Sequence, residues 1–406
     1  MLDTEAAVRD YLRILGTPEV GSLFLGQLLA RMAIGIWPIA MLLQLQQSTG
    51  SYAVAGLVTG LMTLGRAAAT PLLSRLVGSW GPPLVIGAAG LGSALAAAGL
   101  AYADLLQAPD GLVVVVSCVL GTLSGAFMPP VQPVVRSLYP GLLKPDQVSR
   151  MFALDAAAQE VIFVLGPILA FGLASAVSPR AAILAGCFAT IAGSGWLVFL
   201  ESLRRMPAAA GRVRLGRVLR HRVVVTGMLT GLLLVAANSA VEAGVVAVFG
   251  DHGLVGGLLL ALYSVASLIG GLLFARWTSG RSAQARWMLL VAAGLALGPW
   301  WTHPGWLGLA LFVAGLGVAP VFAAIASSVS GSIAAADSTE AFGWVDTGAI
   351  IGASAGFGVA GVVVEAGGGP AALWLAAGFA LLGGAVAALG AGVRRVGGLP
   401  VRVPPA

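Results

Sequence analysis

The chain has 406 residues, 58% of them hydrophobic and only 9% charged, with a formal net charge of +6. That composition lies far outside the range of soluble domains and describes an integral membrane protein. Nucleic-acid binding, the other reading of a basic chain, is excluded because no basic soluble domain exists to do it.

Runs of about twenty apolar residues predict twelve transmembrane helices. They lie near 21–44, 53–73, 83–103, 112–135, 151–172, 180–200, 223–249, 254–275, 287–302, 305–330, 341–364 and 370–393, the ninth being the shortest. Ahead of them, residues 3–15 read as a short interfacial helix with Leu12, Ile14 and Leu15 on the lipid. Asp3, Glu5 and Asp10 in the first nineteen residues argue against a cleavable signal peptide. With the N-terminus inside, nineteen of the twenty-two Lys and Arg residues fall in cytoplasmic segments, seven of them between 204 and 222. The positive-inside rule therefore places both termini in the cytoplasm. A single Lys among many Arg, with abundant Ala, Gly and Val, points to a high-GC bacterial genome and a bacterial plasma membrane.

Polar residues inside the spans are the informative ones, because an ionisable group in hydrocarbon is costly unless it faces protein or water. Span 1 carries Gln27 and Arg31, four apart and so on one helical face. Span 2 carries Arg66, and span 5 carries Asp155, Gln159 and Glu160 before a Gly166-Pro167 step that predicts a kink and close packing. Counted from the span ends at 1.5 Å per residue, Arg31 and Glu160 both lie roughly 15 Å deep, and Arg66 lies near the level of Asp155. Two opposite-charge pairs, Arg31 with Glu160 and Arg66 with Asp155, are the resulting expectation. Span 7 brings Asn238 and Glu242 to one face, and span 11 brings Asp346 to the level of Arg66, which makes Arg66 and Asp346 gate candidates.

Each of these residues has a plainer reading. Arg31 with a carboxylate can be a buried structural pair, and Gln27, Gln132, Gln159 and Asn238 can bridge helices. Glu242 has no obvious cationic partner in its half of the chain, which suits a proton carrier or a group open to water. Trp300, Trp301 and Trp306 read as an aromatic belt, and Cys118 and Cys187 as small packing residues. No nucleotide, zinc or nucleophile motif occurs, so neither enzymatic activity, a cofactor nor a metal is expected.

The segment 74–86, SRLVGSWGPPLVI, resembles the loop signature of the major facilitator superfamily, Gly-x-Leu-x-Asp-Arg-x-Gly-x-Arg-Arg, through Leu76 and Gly81 but without its charged members. At an offset of 190, Gly125, Pro130, Val131, Ser137, Gly141, Phe152, Gly166 and Ala170 recur as Gly315, Pro320, Val321, Ser327, Gly331, Phe342, Gly356 and Ala360. A parallel repeat of six plus six spans is how that superfamily builds its two bundles. Gly166-Pro167 with Ala170 is half of its antiporter motif, GGLLFARW at 270–277 looks like a second copy of the loop, and STEAFGW at 338–344 resembles uncharacterised bacterial members. The resemblance implies an all-α integral membrane fold of twelve transmembrane helices in two six-helix bundles related by a pseudo-two-fold. It divides the chain into an N-terminal segment 1–19, a bundle 20–200, a basic linker 201–222, a second bundle 223–395 and a tail 396–406. It further implies a cavity lined by spans 1, 4, 7 and 10, with span 2 against 11 and span 5 against 8.

These readings converge on a monomeric secondary transporter in contact with lipid, exporting a small organic compound in exchange for protons by alternating access. Glu160, and after it Asp155 or Glu242, would exchange proton for substrate while Arg31 tunes the carboxylate. Two rivals stand beside it: a uniporter or importer of a polar metabolite such as a sugar or organic anion, and a membrane sensor or scaffold without turnover.

Overall fold

The computed structural model describes residues 13–106, 109–206, 217–274, 277, 278, 280, 282–333 and 335–392. Residues 3–12 of the expected interfacial helix, residues 207–216 of the linker and the tail fall outside them. Among the described residues the secondary structure is helical throughout.

Helix α1 (Val20–Thr49) stops at Gly50, whose left-handed backbone (φ 68°) a residue without Cβ accepts without strain. Helix α2 (Tyr52–Trp80) starts one residue later, with Ser51 Oγ accepting from the Val54 N–H. Helix α3 (Pro82–Ala101) begins with proline at its first turn, where the missing N–H costs nothing. The fourth predicted span is two helices, α4 (Asp110–Ala126) and α5 (Val131–Leu142), because Pro129 and Pro130 cannot continue the hydrogen-bond ladder. Helices α6 (Pro145–Ala176) and α7 (Pro179–Val198) complete the first six crossings.

The second set comprises α8 (Arg222–Phe249), α9 (Val255–Leu273), α10 (Ala283–Leu297), α11 (Pro304–Ser330) and α12 (Ala335–Gly392). The ninth span is short, as expected, and a 3₁₀ turn at Gly298–Trp300 extends α10. The last two predicted spans are the limbs of α12, which breaks at Gly368 (φ 71°). Gly348, Gly352 and Gly356 climb along Met228, Leu232 and Ala236 of α8, and Gly390 returns to Thr226, so the chain reverses at the break. Twelve crossings result.

The two sets repeat one another in contact as well as in sequence. Gly35 of α1 touches the backbone of α6 at Ile162 and Gly166, where a Cβ on Gly35 would lie 2.5 Å from the Ile162 carbonyl oxygen. Only glycine permits that approach. In the second set Gly356 of α12 lies on the backbone of Ala236 of α8 as Gly166 lies on that of Gly35. Positions on α6 therefore correspond to α12 at an offset of 190, and positions on α1 to α8 at 201.

Across the halves, α2 lies on α12 and α6 on α9, the pairing expected of spans 2 with 11 and 5 with 8. Gly56 abuts Phe357 and Gly361, and Ser354 Oγ donates to the Gly60 carbonyl at 2.8 Å. On the other side Gly257 abuts Pro167, and Ser264 Oγ donates to the Phe163 carbonyl at 3.1 Å. The helix ends near Val20, Glu201, Arg222 and Gly392 form one face, the terminal face; Glu19 holds it together by accepting from the backbone N–H of Ser202 at 2.7 Å and of Glu201 at 3.2 Å. The α1–α2 turn and the Gly368 turn lie on the opposite, distal face.

Candidate functional site: a buried charge cluster and a central chamber

Asp155 is fully buried inside the N-terminal half and is its polar centre. Its Oδ1 accepts from Gln27 Nε2 at 2.6 Å and from Arg31 Nη1 at 3.5 Å, and its Oδ2 accepts from Arg136 Nε at 2.6 Å. Gln27 Nε2 also donates to the Tyr139 hydroxyl at 2.7 Å. With its amide oriented to suit its neighbours, Gln132 offers Oε1 to Nη2 of both Arg136 (3.0 Å) and Arg31 (3.1 Å). Two guanidiniums and one carboxylate leave a surplus positive charge, and Arg136 carries it towards solvent with 41% of its side chain exposed.

The expected pairing is thus corrected. Arg31 joins Asp155, and Glu160 is in neither pair. The reason is where the helices begin: α6 starts at Pro145, six residues before the predicted end of the span. Arg31 then lies eleven residues into α1 and Asp155 ten into α6, both about 15 Å from the terminal face. Arg66 does not reach Asp155; its charge and that of Asp346 act on each other across the halves, and among the described residues no hydrogen bond joins them.

Glu160 follows Asp155 by five residues, a rotation of about 140° on a helix. Where Asp155 turns into its own half, Glu160 faces the other one. There it lines a cavity of about 120 Å³ with Asn238 and Glu242 of α8 and with Tyr263, Ser264 and Ser267 of α9. The Tyr263 hydroxyl donates to Asn238 Oδ1 at 2.7 Å. A second cavity of about 240 Å³ shares Ile34, Phe163, Asn238, Glu242 and Phe322 with the first, and Trp37, Met62, Met128 and Phe357 give it an apolar wall. Thr63 and Arg66 of α2 close its far side. The two are one chamber between the halves, fed by α1, α8 and α11 as well as by α2, α6, α9 and α12.

Among the described residues neither Glu160 nor Glu242 has an ion-pair or hydrogen-bond partner, and neither has Gln159, which is half-buried beside Glu160. A chamber that offers two carboxylates, an amide and an aromatic, thioether-rich wall can take up protons and hold the polar end of an otherwise greasy molecule.

The sequence reading overlooked Arg136 and Tyr139. Arg136 lies one residue beyond the predicted span 112–135, yet Gln132, Arg136 and Tyr139 follow the i, i+4, i+7 spacing of one helical face. That spacing was the available signal.

Comparison with known proteins accords with this architecture. The family model for the Major Facilitator Superfamily matches residues 23–254. An uncharacterized MFS-type transporter, y4rN, of Sinorhizobium fredii (strain NBRC 101917 / NGR234) is 26% identical over 204 residues, which is 50% of this chain and 48% of that protein. The match therefore spans about half of that relative's length. Among solved structures, the nucleoside transporter NupG (D323A mutant) superposes with a TM-score of 0.71 at 12% identity, covering 91% of this chain and 98% of that one. A bacterial homologue of the iron transporter ferroportin in an inward-facing state gives 0.68 at 16% identity, covering 94% and 99%. With the family model covering more than half of it, and with the fold and the internal repeat in accord, the chain belongs to the Major Facilitator Superfamily.

Proposed function

We propose that the protein exports a small amphipathic organic compound bearing a positive charge, in exchange for protons, by alternating exposure of the central chamber. One observation carries the proposal: Glu160 and Glu242 come from opposite halves, face the same chamber, and have no cationic partner among the described residues. Carboxylates so placed either take up protons or pair with a cation brought by the cargo, and exchange between the two is antiport. Asp155, which accepts from two guanidiniums, is instead the anchor of the N-terminal half. The distribution of Lys and Arg supports a cytoplasmic terminal face and a bacterial plasma membrane.

The test is transport in proteoliposomes driven by an imposed pH gradient. Coupling between two linked binding events is worth about 5–150-fold. Glu160→Gln and Glu242→Gln are each expected to lower gradient-driven flux by a factor in that range while leaving gradient-independent counterflow measurable. Flux and pH dependence unchanged in both variants would sink the assignment.

The surplus positive charge at Arg31 and Arg136 favours a second reading, a uniporter or importer of an anionic metabolite. Counterflow that ignores the pH gradient and is lost in Arg136→Gln would support it.

A further inference from the structure

The distal face is closed by a contact that the fold does not require. Glu365, on the first limb of α12, places Oε2 over the first turn of α2, where it accepts from the backbone N–H of Tyr52 at 2.7 Å and of Ala53 at 3.2 Å and from Ser51 Oγ at 3.2 Å. Those N–H groups have no partner inside their own helix, and a carboxylate there also meets the positive end of the helix dipole. Below it, two tight contacts follow at successive turns: Gly361 against Tyr52 and Gly56, then Ser354 on the Gly60 carbonyl. One charged cap at the rim thus sits above an uncharged seam.

Pseudo-symmetry shows what is special about it. The interface of α6 with α9 is the counterpart of α12 with α2, since Gly257 lies against Pro167 as Gly56 lies against Phe357. At the offset of 190 the counterpart of Glu365 is Ser175, whose hydroxyl donates to Gly172 of its own helix at 3.1 Å. The N-cap of α9 is Leu254, and no side chain caps it. Two interfaces with the same backbone geometry therefore exist, and one holds together without the carboxylate.

We propose that Glu365 is a positioning residue for transport, a latch that captures the start of α2 whenever the distal face is shut and that must release it for the chamber to open on that side. Hydrogen bonds to a charged acceptor are among the stronger ones, and here all three cross the line along which the halves separate. Losing them weakens the distally closed state and leaves the distally open state untouched, so the population moves towards opening. The claim does not depend on the cargo or on proton coupling.

The test is two-sided labelling. Ala353→Cys, on the wall of the chamber, is placed in a Cys118→Ala, Cys187→Ala background and exposed to a membrane-impermeant maleimide from either face of oriented proteoliposomes. Glu365→Ala is expected to speed labelling from the distal face by about tenfold or more, the scale of one charge-assisted hydrogen bond, and to slow it from the terminal face. Glu365→Gln, which keeps an acceptor oxygen without the charge, should fall between, and it serves alone if the alanine variant does not fold. Ser51→Ala should move both rates in the same senses by less. Rates unchanged from both faces, or raised from both, would overturn the proposal, because a merely structural contact loosens the protein without favouring one side.

Discussion

Where the N-terminal half gathers charged and polar side chains, the C-terminal half carries apolar ones at the corresponding positions. At the offsets set by the matching helix contacts, Asp155 corresponds to Val345, Arg136 to Ala326, Gln132 to Phe322, Tyr139 to Val329, Arg31 to Leu232 and Gln27 to Met228. Val345 sits against Gly227 and Gly231 of α8, as Asp155 sits against Gln27 and Arg31 of α1. One backbone arrangement therefore accepts either filling. A buried ion pair rarely beats apolar residues of similar volume in stability, so stability alone does not account for the cluster, which ties α1, α5 and α6 to one another.

The comparison breaks most visibly if Asp155 is removed alone. Asp155→Ala strands two guanidiniums and should cost about 3–5 kcal/mol, whereas Val345→Ala, which removes only methyl groups, should cost about 1–3 kcal/mol. Thermal unfolding of the two purified variants decides it, and equal losses would mean that the cluster carries no electrostatic strain when broken.

Converting one half into the other sharpens the point. Replacing Gln27, Arg31, Gln132, Arg136 and Asp155 together by Met, Leu, Phe, Ala and Val should return stability to within about 2 kcal/mol of the parent. Gradient-driven transport should survive in that variant, because Glu160 and Glu242 remain. Loss of transport in a well-folded quintuple variant would move the proton-carrying role back to Asp155.

Smaller effects test the helix contacts. Gly35→Ala forces a Cβ onto the Ile162 carbonyl and should cost about 1–3 kcal/mol, while the reverse change at its counterpart, Ala236→Gly, should cost only about 0.5–1 kcal/mol through helix propensity. A neutral Gly35→Ala would show that α1 and α6 can separate without loss.

The smallest effect is at Glu19, on the terminal face. Its hydrogen bonds with Ser202, the Glu201 N–H and the nearby Arg205 hold its carboxyl below the ordinary value of 4.5. A depressed folded-state value contributes stability that is present above pH 4.5 and is lost as the pH falls through the folded value. Glu19→Gln should lower the melting temperature slightly at neutral pH, flatten the acid limb of the melting profile and converge with the parent below the folded value.

Twelve crossings and the repeat at 190 were legible in the chain itself, because hydrophobic run length and Gly or Pro spacing are local properties that lipid enforces, whereas the pairing across the halves followed only from the family resemblance. Arg31, Asp155, Glu160, Asn238 and Glu242 were legible as residues too, since a polar group within a span stands out wherever it points. Their partners were not. Depth counted from a guessed helix end erred by six residues at Pro145, enough to pair Arg31 with the wrong carboxylate. Which of two acids five residues apart turns inward and which turns to the chamber depends on how α6 rotates against α1 and α9, a matter of tertiary contact alone. The same holds for Glu365, an ordinary loop-end acid in the sequence, which acquires its role only because the Gly56–Gly361 contact brings the start of α2 beneath it.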